Sequence, residues 1–131
     1  ILKIQSCTNI ITRNALQVFM AYLNLCNYYI TAPELELNHG FCDFFLLPNL
    51  AHYAVKHSYI IELKVLPKKD FSALCEDRKT TKAEAQWNEA VAQIHRYAEA
   101  PRVKALRQDT LLHKIVMQFE GWKLKKIEEV E

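Results

Sequence analysis

Glycine and proline are scarce in this 131-residue chain, with two of the first and four of the second. That excludes a linker-rich or low-complexity architecture, and it makes each of these residues legible as punctuation. Long apolar runs are missing too. A membrane span needs roughly 18 to 20 apolar residues, and the nearest approach, Phe41–Leu47, is short and carries Asp43. No basic start leads into an apolar stretch with a small-residue cleavage site, so a secretory leader is not expected. These absences point to a cytoplasmic protein with no membrane partner. The first residue is Ile1 rather than Met, which suits the C-terminal part of a longer polypeptide.

A strong excess of charge is also lacking. Seventeen basic and fifteen acidic residues leave a net charge of +2, so a nucleic-acid partner would have to be met by a local patch. Cys7, Cys26, Cys42 and Cys75 are scattered, with no CxxC pair and no Cys/His spacing suited to zinc; they read as reduced thiols. His39, His52, His57, His95 and His113 show no mutual spacing of a metal cluster and carry no assigned role.

What is present is half hydrophobic and about a quarter charged, the composition of one soluble globular domain spanning residues 1–131. Thr8–Cys26 has helical apolar spacing through Ile11, Leu16, Phe19, Met20 and Leu23. Glu34–Leu37 alternates as a half-exposed strand, and Asn38-His39-Gly40 suits a reversal. Phe41–Leu47 reads as a strand buried on both faces. Ser58–Leu66 is a third strand, and the stretch from Pro67 to Lys79 reads as a charged, irregular connection. Lys82–Ala98 is a helix with the stripe Ala83, Trp87, Ala90, Val91, Ile94 and Ala98. A short helical piece follows Pro101, and two strands close the chain at Leu111–Phe119 and Trp122–Val130.

Two features stand out chemically. Asp43 lies inside an apolar strand, where an unpaired carboxylate is costly by several kcal/mol. Glu62 and Lys64, two apart on the next strand, project from one face. Taken alone, a Glu-x-Lys pair on a strand is commonly an ion pair. Two carboxylates on neighbouring strands with a lysine beside them also suit metal-assisted phosphodiester hydrolysis, since hard oxygen ligands hold Mg²⁺ or Mn²⁺.

The order Gly40-x-x-Asp43, apolar strand, Ile61-Glu62-Leu63-Lys64, then a helix with Ala90-x-x-Gln93-Ile94 and Tyr97, resembles the PD-(D/E)XK nuclease superfamily. In particular it is similar to the bacterial nuclease-like domains found C-terminal to an AAA-ATPase-like domain. The resemblance covers about Glu34 to Gly121. It implies an α/β, restriction-endonuclease-like fold with an αβββαβ core, in which a mixed central sheet is flanked by helices. It further implies Asp43 and Glu62 as metal ligands, with the backbone carbonyl of Leu63 as a third, Lys64 as the catalytic lysine and Gln93 facing the site. Relatives often carry a Glu on the first helix. Thr8–Cys26 has no acidic residue, so Glu36 is taken as the substitute, with Glu34 as the alternative. An Arg often precedes the Asp; here Phe41 and Cys42 do.

The implied function is Mg²⁺- or Mn²⁺-dependent hydrolysis of nucleic acid, with DNA the expected substrate. An AAA-ATPase-like domain in the same longer chain is the implied partner. Lys68, Lys69 and Tyr97 are expected to contact the nucleic acid, within a basic stretch that continues through Arg78, Lys79 and Lys82. The alternative is a catalytically inactive binding module of an ATPase-containing protein. Pairing of C-terminal edge strands between chains leaves a homo-oligomer open.

Overall fold

The β-rich middle of the chain organises everything else. The structure, a computed structural model, describes residues 21, 25, 29–37, 40–50 and 52–131, without the side chains of residues 33–37 and 40–42. The helix expected over Thr8–Cys26 lies outside the described residues apart from Ala21 and Leu25, as does His39. Among the described residues five strands form one sheet: β1 (Tyr29–Leu37), β2 (Gly40–Pro48), β3 (His57–Leu66), β4 (Leu111–Glu120) and β5 (Lys123–Glu129). Their spatial order is their sequence order. Only β3 and β4 run parallel, and the other neighbours are antiparallel. The expected mixed sheet is therefore present.

A parallel step needs a crossover, because a tight turn cannot return the chain to the same end of the sheet. Three helices supply it: α1 (Lys68–Ser72), α2 (Glu76–Ala98) and α3 (Pro101–Arg107). Here the expectation needs correcting, since the charged stretch after Pro67 is helical for most of its length. It contains α1, and α2 begins at Glu76 rather than near Lys82. The added first turns of α2 are exposed, so no apolar periodicity marks them. Glu76 and Asp77 favour a helix start there by facing the positive end of its dipole.

β1 also starts earlier than its alternating segment suggests. Tyr29-Ile30-Thr31 is aromatic and β-branched, which favours a strand. Pro33 stands opposite Phe44 within it, tolerated because β1 is the edge strand of the sheet formed by the described residues.

Alternation along β3 divides the core. Ile60 joins Phe45 and Val116 beneath Trp87, Ala90, Ile94 and Tyr97 of α2 and Val103 of α3. Ile61 and Leu63 join Phe44, Leu46 and Met117 in a second cluster on the opposite face. At the β4–β5 turn Gly121 has φ +58, and a Cβ there would come within 3.3 Å of the Lys68 Cβ. A side chain is thus strained by the conformation and crowded by Lys68.

Candidate metal and catalytic site

The β2–β3 ladder runs from Leu46 opposite Tyr59 to Phe44 opposite Ile61. The next residue on β2 is Asp43. Its carboxylate takes over where the described pairing ends, with the Leu63 backbone N–H donating to Asp43 Oδ2 at 2.6 Å. A charged acceptor on a strand amide makes a strong, short bond. It ties the head of Asp43 to the stretch of β3 that carries Glu62 and Lys64.

Glu62 and Lys64 share the face of β3 that α2 covers. Glu62 is only 3% exposed. Lys64 Nζ lies 3.1 Å from Glu62 Oε1 and donates to Gln93 Oε1 at 2.7 Å. Because an ammonium can only donate, this contact sets the orientation of the Gln93 amide. Gln93 Nε2 then points away and meets Glu89 Oε1 at 3.4 Å. A line of polar groups therefore runs from the solvent-facing Glu89 through Gln93 and Lys64 to the buried Glu62.

The other Glu62 oxygen, Oε2, is buried and has no hydrogen-bond partner among the described residues. Burial is the main reason its carboxyl is pushed up from 4.5 to about 8, and the charge of Asp43 adds to it. Lys64 and a backbone hydrogen bond from Asp43 pull the other way without overcoming burial. The Glu62–Lys64 contact is thus, near neutral pH, more a hydrogen bond to a protonated acid than a full ion pair. A buried carboxyl oxygen without a partner is rare enough to need a cause, and a hard cation that displaces the proton and sits beside two carboxylates is one.

Sequence reasoning missed an amide pair, buried Gln118 and half-buried Gln86, that holds α2 in place. Gln118 on β4, 2% exposed, donates from Nε2 to Gln86 Oε1 at 2.9 Å and to the Ala83 carbonyl at 3.0 Å. Gln86 Nε2 in turn donates to the Val65 carbonyl at 3.2 Å. Because Gln86 and Gln93 sit on one face of α2, this clamp also helps fix where Gln93 meets Lys64. The signal was a lone amide in the apolar run Ile115–Phe119.

The structure thus brings Asp43, Glu62, Lys64 and Gln93 together, with Leu63 between the last two strand residues. By backbone register, Pro33 opposite Phe44 and Leu35 opposite Cys42 bracket Glu34 across from Asp43, whereas Glu36 stands across from Phe41. Neither glutamate side chain is among those described. Lys68 and Lys69 are exposed on α1, just beyond the end of β3. Tyr97, at 5% exposure, packs in the core with Phe45 and Ile60. Among the described residues no three His, Cys, Asp or Glu side chains are grouped to hold a metal ion. The described carboxylates of this cluster are those of Asp43 and Glu62.

No curated protein and no solved structure matches the chain. The comparison with protein families matches residues 13–129 to the PD-(D/E)XK nuclease superfamily. That span includes all five strands and every residue of the cluster just described, and the mixed sheet with its helical crossover is of the restriction-endonuclease-like α/β kind. The chain belongs to the PD-(D/E)XK nuclease superfamily.

Proposed function

We propose that this domain is a metal-dependent nuclease that hydrolyses phosphodiester bonds, with DNA as the first substrate to test. The observation that carries this reading is the buried, partnerless Oε2 of Glu62 beside the carboxylate of Asp43. Asp43 and Glu62 would hold Mg²⁺ or Mn²⁺, with the Leu63 carbonyl as a third oxygen. Such an all-oxygen set suits hard cations. When bound, the ion supplies Lewis-acid stabilisation of the charge that develops on the phosphate.

The remaining work falls to the chain's own groups. Lys64 Nζ, held by Gln93 Oε1 and Glu62 Oε1, has a third hydrogen to give. It would orient the attacking water and offset negative charge at the reacting phosphorus. Gln93 aims the lysine, and Glu89 keeps the Gln93 amide from turning over. Asp43 anchors its own carboxylate on the Leu63 amide, so less side-chain freedom is lost when a ligand arrives.

Calorimetric titration with Mn²⁺ tests the site without any guess about substrate. Saturable binding is expected in the wild type and is lost in Asp43→Asn. Nicking of plasmid DNA should then require the ion and fall by at least about a hundredfold in Lys64→Met, while Mn²⁺ still binds. DNA binding indifferent to both the ion and Lys64 would replace this reading with that of an inactive docking module beside a partner ATPase.

A further inference from the structure

The histidines show no pattern along the sequence, yet the sheet gathers two of them far from the acid pair. His57 opens β3, and His113 lies on β4 opposite Tyr59. The two are therefore diagonal neighbours on one face of adjacent parallel strands, although 56 positions apart in the chain. His57 Nδ1 lies 2.8 Å from His113 Nε2. On the far side of the same ring, His113 Nδ1 meets Glu129 Oε1 of β5 at 2.5 Å. The Tyr59 ring stacks on His113 at a centroid distance of 4.9 Å and fixes the plane of the imidazole.

The carboxylate settles the tautomer. Glu129 accepts, so Nδ1 of His113 carries the proton and Nε2 of the neutral ring presents a lone pair toward His57. A carboxylate behind an imidazole that offers its other nitrogen is the arrangement that orients histidine ligands and raises their basicity. Two nitrogens bound at about 2.1 Å to one ion at a right angle stand about 3.0 Å apart, close to the spacing found. Without an ion, His57 Nδ1–H donates to His113. Accepting one requires that His57 move its proton to Nε2, a change that releases no proton, and that the two rings turn so that both lone pairs converge on the ion.

We propose that His57 and His113, with Glu129 behind His113, form a second ion site selective for borderline divalent transition ions such as Ni²⁺, Cu²⁺ or Zn²⁺. Imidazole nitrogen suits these ions and does not suit Mg²⁺. Two protein ligands leave open positions for water or an added ligand, so the site is an accessory one. It bridges β3 and β4 directly and engages β5 through Glu129, so a bound ion fastens the C-terminal strands to the strand that carries Glu62 and Lys64.

The test uses Ni²⁺ and the full chain, as wild type and as Asp43→Asn. Calorimetry should show saturable binding of one Ni²⁺ to Asp43→Asn, which lacks the acid-pair site, and Mg²⁺ should not reproduce it in that variant. In the amide NMR spectrum, paramagnetic broadening should centre on His57, His113 and Glu129. Added to Asp43→Asn, His57→Asn and His113→Asn should each abolish the binding, and Glu129→Gln should weaken it by about tenfold. His57 is exposed, so its replacement leaves the fold intact even where loss of His113 lowers the melting temperature in EDTA. Ni²⁺ should raise that temperature for Asp43→Asn and not for Asp43→Asn with His57→Asn. Binding that survives both histidine replacements, broadening centred elsewhere, such as at the exposed thiol of Cys75, or no saturable binding would each overturn the proposal.

Discussion

Glu62 is where burial and charge compete most openly. Its carboxyl is raised from 4.5 to about 8, so the folded protein holds a proton that the unfolded chain releases near pH 4.5. The resulting stability is complete below about pH 4.5 and is lost as pH rises through 8. Inside that window the slope approaches about 1.4 kcal/mol per pH unit. Glu62→Gln keeps a neutral group of similar shape and should remove this slope, so its advantage over the wild type grows from pH 5 to pH 8. Urea denaturation at several pH values checks this, and parallel pH profiles for the two proteins would mean that Glu62 is ionised in the fold. The exposed Glu99, whose carboxyl is held low by Lys104, contributes equally to both proteins and cancels. At this scale the site was legible where a residue broke a local rule. Asp43 interrupts an apolar strand, and Glu62 and Lys64 share a face with apolar neighbours. Glu89 and the histidine pair break no such rule, because their partners come from other elements and spacing along the chain cannot show them.

Elements with a strong apolar period were legible for the same reason that they are stable. The α2 stripe places Ile94 and Ala90 at 0% exposure over the sheet, and Ile94→Ala should cost about 2–5 kcal/mol in chemical denaturation. The first turns of α2 were not legible, since their stability comes from acids at the helix start and from i,i+3 contacts such as Lys79 Nζ to Glu76 Oε1 at 3.0 Å. Thr80 and Thr81 turn their hydroxyls back onto the carbonyls of Glu76 and Asp77, which is a poor use of a helix position. Replacing both with Ala should stabilise the protein by a few tenths to about 1 kcal/mol. The amide clamp behaves oppositely. Gln118→Leu removes the donor to Gln86 Oε1 and to the Ala83 carbonyl, leaving buried acceptors unmet at about 1–3 kcal/mol. Adding Gln86→Met to that variant should recover part of the loss, which a double-mutant cycle measures directly. Additive losses would show that the two amides do not act as a unit.

At the scale of the whole molecule, both candidate ion sites depend on β3, the strand between the antiparallel and parallel halves of the sheet. Glu62 and Lys64 face α2 from one side, while His57 lies about 16 Å back along the strand and on the other side. The acid pair therefore sits toward the C-terminal end of a strand in the parallel step, where ligands of open α/β sheets commonly bind. Charge is nearly balanced overall, at +2, so nucleic-acid affinity cannot come from a general positive field. The proposed DNA binding would therefore rest on a few local contacts, and α1 offers Lys68 and Lys69 just past the end of β3. Each lysine that neutralises a phosphate contributes about 0.9 to the slope of log affinity against log salt. Replacing both with Gln should therefore lower that slope by about two and weaken DNA binding at low salt, with the cleavage rate at saturating DNA little changed. Fluorescence anisotropy across a salt series reads the slope. An unchanged slope would move the phosphate track away from α1, toward the β2 side of the acid pair where Glu34 stands across from Asp43.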